Sequence, residues 1–179
     1  MKLSIIVAAY NVEEHIVRLL LSLFDQSITF SYEIIVVDDG STDKTNQLVK
    51  QMILQNSCLM LVSQANQGLV SARRVGFDES KGEYIAFIDG DDFIDECYFN
   101  QLYYNITKYS PDIIACGHKT IIGDAVVHKN KNLIPMGYYA NDDINYLVSQ
   151  SALSGDNLYY PGLFTYTWNK LFKRQLVKL

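Results

Sequence analysis

GEYIAFIDGDD, residues 82–92, runs an apolar stretch straight into a cluster of acids, and its reading decides the fold. Tyr84, Ile85, Ala86, Phe87 and Ile88 are apolar at every position, as suits a short parallel strand covered on both faces. The same construction stands twice upstream. Residues 3–9 form an apolar run that ends in Tyr10 and Asn11, and residues 33–37 form another that ends in DDGSTD at residues 38–43. A further short strand is expected over residues 59–62.

Helical periodicity fills the intervals. After the first strand, Ile16, Leu19, Leu20, Leu23 and Phe24 recur at helical spacing, with Asn11 and Glu14 placed as an N-terminal cap. After the second, Gly40 supplies a turn, Ser41, Thr42 or Asp43 a cap, and Leu48, Met52 and Ile53 an apolar face. A polar loop over residues 63–68 leads into a helix over residues 69–79, closed by the Lys81 and Gly82 turn. The alternation predicts a doubly wound α/β fold, a Rossmann-like, mainly parallel sheet with helices on both faces.

Farther on, residues 96–108 read as a helix stopped before Pro111, and residues 112–116 as another strand of the sheet. Residues 120–122 and 125–128 flank Gly123 and Asp124 as a tight hairpin, residues 142–153 read as a helix and residues 154–162 as a loop. With 179 residues, 49% of them hydrophobic, one domain over residues 1–179 is expected, in two halves at about 1–117 and about 118–179.

The net charge of −5 argues against nucleic acid as a partner, which would require an excess of Lys and Arg. Cys58, Cys97 and Cys116 form no CxxC pair, and His15, His118 and His128 lack metal-ligand spacing, which fits a reduced, cytoplasmic setting. No signal-peptide pattern opens the chain, and no run reaches the ~18–20 apolar residues of a membrane span.

Three polar clusters, at Tyr10 and Asn11, at Asp38 and Asp39, and at Asp89, Asp91 and Asp92, each follow an apolar strand. In a parallel sheet such ends lie along one edge and converge on the crevice where ligands bind. Carboxylates gathered there repel one another, and a hard divalent cation, Mn²⁺ or Mg²⁺, answers that repulsion, with one or two carboxylates as ligands and phosphates completing the shell. Asp91 is the first choice for ligation. Asp89 suits a ribose hydroxyl or a metal-bound water, and Asp92 the loop. Each acid also has a plain reading as a turn former or cap.

SIIVAAYN at residues 4–11, VDDGSTD at 37–43, NQGLVSARRVG at 66–76 and GEYIAFIDGDD at 82–92, taken in order, resemble the family 2 glycosyltransferases of GT-A fold. The resemblance covers roughly the first half of the chain, and WNKLFKR at residues 168–174 is similar to an element of many polysaccharide-assembling members. It implies that Tyr10 stacks on the nucleotide base and Asp39 accepts a hydrogen bond from the uracil imide. It further implies that Asp91, as second acid of a DXD motif, coordinates the metal bridging the phosphates, with Asp89 on the ribose side and Arg73 near the nucleotide or its phosphates. Ala9, Asn11 and Glu13 complete the nucleotide-binding set, although Asn11 and Glu13 also suit a helix start.

The activity implied is inverting transfer of a sugar, UDP-linked by expectation, to a saccharide or lipid-linked acceptor in bacterial surface-polysaccharide assembly. The other reading is a nucleotide-sugar-binding or assembly module without turnover. The catalytic base is expected beyond residue 179, the segment being read as part of a longer chain, because Asp142, Asp143 and Asp156 look like helix-start and loop residues. Lys170, Lys173, Arg174 and Lys178, interleaved with apolar residues, suggest peripheral association with the inner face of an anionic membrane, or else a terminus that packs on other residues. A nucleotidyltransferase would carry a glycine-rich basic loop after its first strand, and a dinucleotide oxidoreductase GxGxxG; AAYNVEEH has neither.

Overall fold

The computed structural model describes residues 2–26, 28–122, 125–130, 137–140, 143 and 170–177. In chain order its elements are β1 (Leu3–Ala9), α1 (Ile16–Phe24), β2 (Tyr32–Asp38), α2 (Thr45–Ile53), β3 (Leu59–Ser63), α3 (Leu69–Glu79), β4 (Tyr84–Asp89), α4 (Tyr98–Tyr109), β5 (Ile113–Ala115), β6 (His118–Ile122), β7 (Ala125–Asn130) and β8 (Lys170–Lys173). Six strands form one sheet in the order β3-β2-β1-β4-β8-β5. Strands β1 to β4 pair in parallel, and β8 runs antiparallel to β4.

All seven residues of β1 are buried, as its unbroken apolar run requires of a central strand covered on both faces. One face of the sheet receives α3, where Ala72 packs with Ala8, Ile35 and Val37. Farther along the same face, Ile6, Ile85 and Phe87 meet Phe77, Phe172 and Val177. Each such aliphatic or aromatic side chain taken out of water stabilises the fold by roughly 1.5–3 kcal/mol.

The chain falls into two compact units. The first comprises Met1–Ile114 with Leu171–Leu179 and holds the parallel strands; the second comprises Ala115–Lys170. Within the second, β6 and β7 pair antiparallel with Ile122 opposite Ala125, the arrangement expected of a hairpin at Gly123 and Asp124; that turn itself lies outside the described residues. So do the helix expected over residues 142–153, except Asp143, and the loop over residues 154–162.

One local expectation is corrected and two are refined. Asn11 does not cap α1: the helix begins only at Ile16, and Asn11 instead adopts a left-handed backbone (φ 51°) directed at the β2–α2 loop. Helix α2 turns Thr45 and Val49 fully inward, while Leu48, Met52 and Ile53 are half-buried. Its start is served by Asp43, whose Oδ1 accepts the Thr45 N–H at 2.9 Å.

The second refinement concerns the basic C-terminal stretch. Lys170 is buried, and Lys173 sits 3.8 Å from an Asp112 carboxylate oxygen. Arg174 donates to Ser80 Oγ and to the carbonyls of Phe77 and Ser80, with its guanidinium over the Phe77 ring. Arg174 thus closes the end of α3 and Lys173 lies beside Asp112; Lys178 lies outside the described residues. No helix among the described residues is long and apolar enough to cross a membrane.

Candidate functional site

Strand order reverses at β1. The chain leaves β1 for β2 and β3 on one side and returns to β4 on the other, which opens a crevice at the carboxyl ends of β1 and β4. The register makes those ends flush: Ala9 lies opposite Asp38, and Ala8 opposite Asp89. Two backbone bonds lash the exits together, Asp39 N–H to the Ala9 carbonyl at 2.9 Å and Gly90 N–H to the Ala8 carbonyl at 3.0 Å. At Gly90 a Cβ would stand 3.0 Å from that carbonyl oxygen and from Val12 Cγ2, so glycine permits the close approach. Tyr10, Asp39, Asp89 and Asp91 therefore leave the sheet along a single edge.

Their environments differ. The Tyr10 ring is half exposed, as a stacking platform must be, whereas Ala9 is buried with its carbonyl engaged by Asp39. Asn11 and Glu13 belong to a clasp between the β1–α1 and β2–α2 loops. Asn11 Oδ1 accepts the Thr42 N–H at 2.8 Å and Glu13 Oε2 the Lys44 N–H at 2.8 Å. In return, Asn11 N–H donates to Ser41 Oγ, Val12 N–H to Thr45 Oγ1 and Glu13 N–H to Asp43 Oδ2. Reciprocal bonds of this kind order both loops, and the Asn11 side-chain oxygen is taken up in them.

Asp38 is a turn former: its Oδ1 accepts the Ser41 N–H and its Oδ2 the Asn46 amide. Asp39 is only 3% exposed and accepts three hydrogen bonds, from Gln64 Nε2 (2.6 Å), Gln67 N–H (2.9 Å) and Gly68 N–H (2.8 Å). Burial pushes this carboxyl up, but those donors outweigh burial and hold it below the ordinary aspartate range. A carboxylate has about four lone-pair positions, so one remains, on Oδ2, for an outside donor. Gln67 and Gly68 belong to the NQGLVSARRVG block, yet nothing in the sequence marks them or Gln64 as donors to Asp39.

At the end of β4 Asp89 Oδ1 accepts from Arg73 Nη2 at 2.6 Å. Asp91 is exposed. Asp92 is pushed up to about 6, first by burial and then by the negative charges of Asp89 and Asp91. The segment that follows is fastened to α1: Arg18 lies over the Phe93 ring, Ser22 Oγ accepts the Ile94 N–H, and Gln26 bonds both the Asp95 carbonyl and the Phe99 N–H. The acids thus sit on a loop anchored at both ends.

Hard carboxylate oxygens gathered on one anchored turn fit a divalent cation. Among the described residues no group of three or more His, Cys, Asp or Glu side chains forms a ready-made cage. A cation held here takes one or two carboxylates and completes its shell with ligand phosphate and water. Of the second-half acids read as helix-start and loop residues rather than as the base, Asp142 and Asp156 lie outside the described residues, and Asp143 is exposed.

The Asp92 environment predicts a pH dependence. Its folded value lies above the unfolded value, so the folded state holds the extra proton, and metal-free stability falls as pH rises from about 4 to about 6. Asp92→Asn is expected to gain about 1 kcal/mol at pH 7 in chelator-containing buffer and to flatten that slope, as read by urea denaturation across pH. An unchanged slope would show that burial and the neighbouring acids do not raise Asp92 as described.

The family model for glycosyl transferase family 2 matches residues 4–178. This chain belongs to glycosyl transferase family 2. The glycosyltransferase GlyA of Streptococcus pneumoniae serotype 4 is 30% identical over 175 residues, covering 98% of this chain and 25% of GlyA. The uncharacterized glycosyltransferase EpsJ of Bacillus subtilis is 30% identical over 173 residues, covering 97% of this chain and 48% of EpsJ. The crystal structure of Staphylococcus aureus TarS 1–349 in complex with UDP superposes with a TM-score of 0.71 at 25% identity, over 98% of this chain and 47% of that one. This family 2 chain accordingly has the GT-A fold, and it spans a quarter to about half the length of these relatives.

Proposed function

We propose that the carboxyl edge of β1, β2 and β4 binds a nucleoside diphosphate sugar, with UDP as the nucleotide, and that the whole protein transfers the sugar to a saccharide or lipid-linked acceptor in bacterial surface-polysaccharide assembly. The observation that carries this reading is the meeting, at the strand-order reversal, of an exposed aromatic ring, a pre-ordered acceptor carboxylate and a crowded acidic turn. That TarS 1–349 crystallises with UDP supports the choice of nucleotide.

In this reading the Tyr10 face stacks on the base. The remaining lone pair of Asp39 accepts the imide N–H, and three donors fix its direction before the ligand arrives. Asp89 holds a ribose hydroxyl, and Asp91 holds Mn²⁺ or Mg²⁺. The cation, when bound, offsets charge developing on the departing diphosphate. Transfer proceeds with inversion: the acceptor hydroxyl attacks C1 opposite the leaving group while a carboxylate takes its proton.

Because the described residues form no ready-made cage for the cation, Mn²⁺ alone is expected to change the melting temperature little, UDP more, and the two together most. Saturation at a hundredfold over Kd stabilises by about 2.7 kcal/mol, or roughly 5–10 °C for a domain of this size. Asp91→Asn is expected to bind UDP but to lose the increment due to Mn²⁺, and Tyr10→Ala to weaken UDP with or without metal. An undiminished Mn²⁺ increment in Asp91→Asn would remove Asp91 from the site; indifference to every nucleoside diphosphate would remove the reading.

A further inference from the structure

Arg73 stands on α3 between two points that fix the helix on the sheet. Ala72 is buried against Ala8, Ile35 and Val37, and at Gly76 a Cβ would come 2.3 Å from Ile6 Cγ2. That seat carries the Arg73 side chain to the end of β4, where Nη2 meets Asp89 Oδ1 at 2.6 Å. It also leaves Arg73 Nε buried without a hydrogen-bond partner. A donor left so is unfavourable, and a guanidinium meant for ligand phosphate would present its N–H groups openly; this side chain is 16% exposed. The contact with Asp89 is what the placement secures.

We infer that Arg73 is a positioning residue for Asp89: it engages Oδ1, fixes the carboxylate plane and leaves Oδ2 as the acceptor for a ribose hydroxyl, so that Asp89 reads the nucleotide's sugar while Asp91 takes the cation. The inference rests on the nucleotide reading above. An arginine on one oxygen offsets the carboxylate's charge and weakens its attraction for a dication; Asp91, exposed and two residues on, has no such counter-charge among the described residues. Two acids on one turn are thereby divided between two tasks.

The test is calorimetric titration of the full chain with UDP, uridine, 2′-deoxy-UDP and 3′-deoxy-UDP, with and without Mn²⁺. The parent is expected to prefer UDP over the analogue lacking the hydroxyl read by Asp89 by about tenfold, the equivalent of one hydrogen bond to a charged group. Arg73→Met is expected to bring that ratio close to unity while keeping the Mn²⁺ increment, and Arg73→Lys, with a single donor for Asp89, to restore part of it. Asp89→Asn, which breaks the pair from the other side, is expected to lower the ratio as well, and with Arg73→Lys it carries the comparison if Arg73→Met does not fold. A ratio unchanged in a folded Arg73→Met, or unchanged in Asp89→Asn, overturns the inference. So does a loss in Arg73→Met that is larger for UDP than for uridine with the ratio intact, since that marks a phosphate contact. If the parent binds no UDP, the nucleotide reading fails first and takes the inference with it.

Discussion

Asp39→Ala is expected to lose about 3 kcal/mol of stability together with all measurable UDP binding, because it leaves three ordered donors facing a buried gap. The Gln67 and Gly68 N–H groups have Asp39 as their carboxylate acceptor, and Gly68, at φ 87°, opens α3. Without the carboxylate the β3–α3 loop must either leave those groups unsatisfied or open to water. Opening would also release the start of the helix that carries Arg73. Asp39→Asn, which keeps one acceptor oxygen, should retain part of the stability and still lose imide recognition, because its amide cannot serve all three donors. Urea denaturation and UDP titration read the two effects separately. A loss under about 1 kcal/mol in Asp39→Ala would show that the loop is ordered by other means.

Gly76→Ala tests the packing beneath the same helix, where two effects oppose. Replacing glycine by alanine inside a helix is ordinarily favourable by about 1 kcal/mol. Here the new Cβ would lie 2.3 Å from Ile6 Cγ2 and 3.2 Å from Val37 Cγ2, and both neighbours are β-branched side chains buried in central strands. Neither can swing away, so α3 must lift from the sheet, and overpacking of this kind costs about 1–3 kcal/mol or somewhat more. The steric term wins: a net loss near 2 kcal/mol is expected in urea denaturation, with weaker UDP binding as Arg73 moves. A more stable Gly76→Ala would mean that α3 does not sit so close.

The parts of the fold legible in the sequence are those whose cause is local. Residues 3–9 and 69–79 appear as β1 and α3 with the expected bounds, since unbroken apolar runs and helical periodicity act over a few neighbours. Strand β8 was not legible. Its four residues read as an amphipathic basic terminus, and only pairing with β4, some 85 residues earlier, makes them a strand: Ala86 opposite Leu171. Asn11 misleads for the same reason. Its spacing to Glu14 mimics a capping box, but its side chain is claimed by Thr42, which no local pattern reveals. At the site, the residue types at the strand ends announced themselves, while the donors that order Asp39 and the arginine that engages Asp89 become visible only when α3 is laid on the sheet.

Crystals of the full chain grown with UDP and Mn²⁺, with diffraction recorded on both sides of the manganese absorption edge, test the central claim most directly. The account predicts an anomalous peak within bonding distance of Asp91 and of diphosphate oxygens, the uracil ring against Tyr10 and its imide N–H on Asp39. Manganese bound away from the end of β4, or a uracil ring that touches neither Tyr10 nor Asp39, would contradict it.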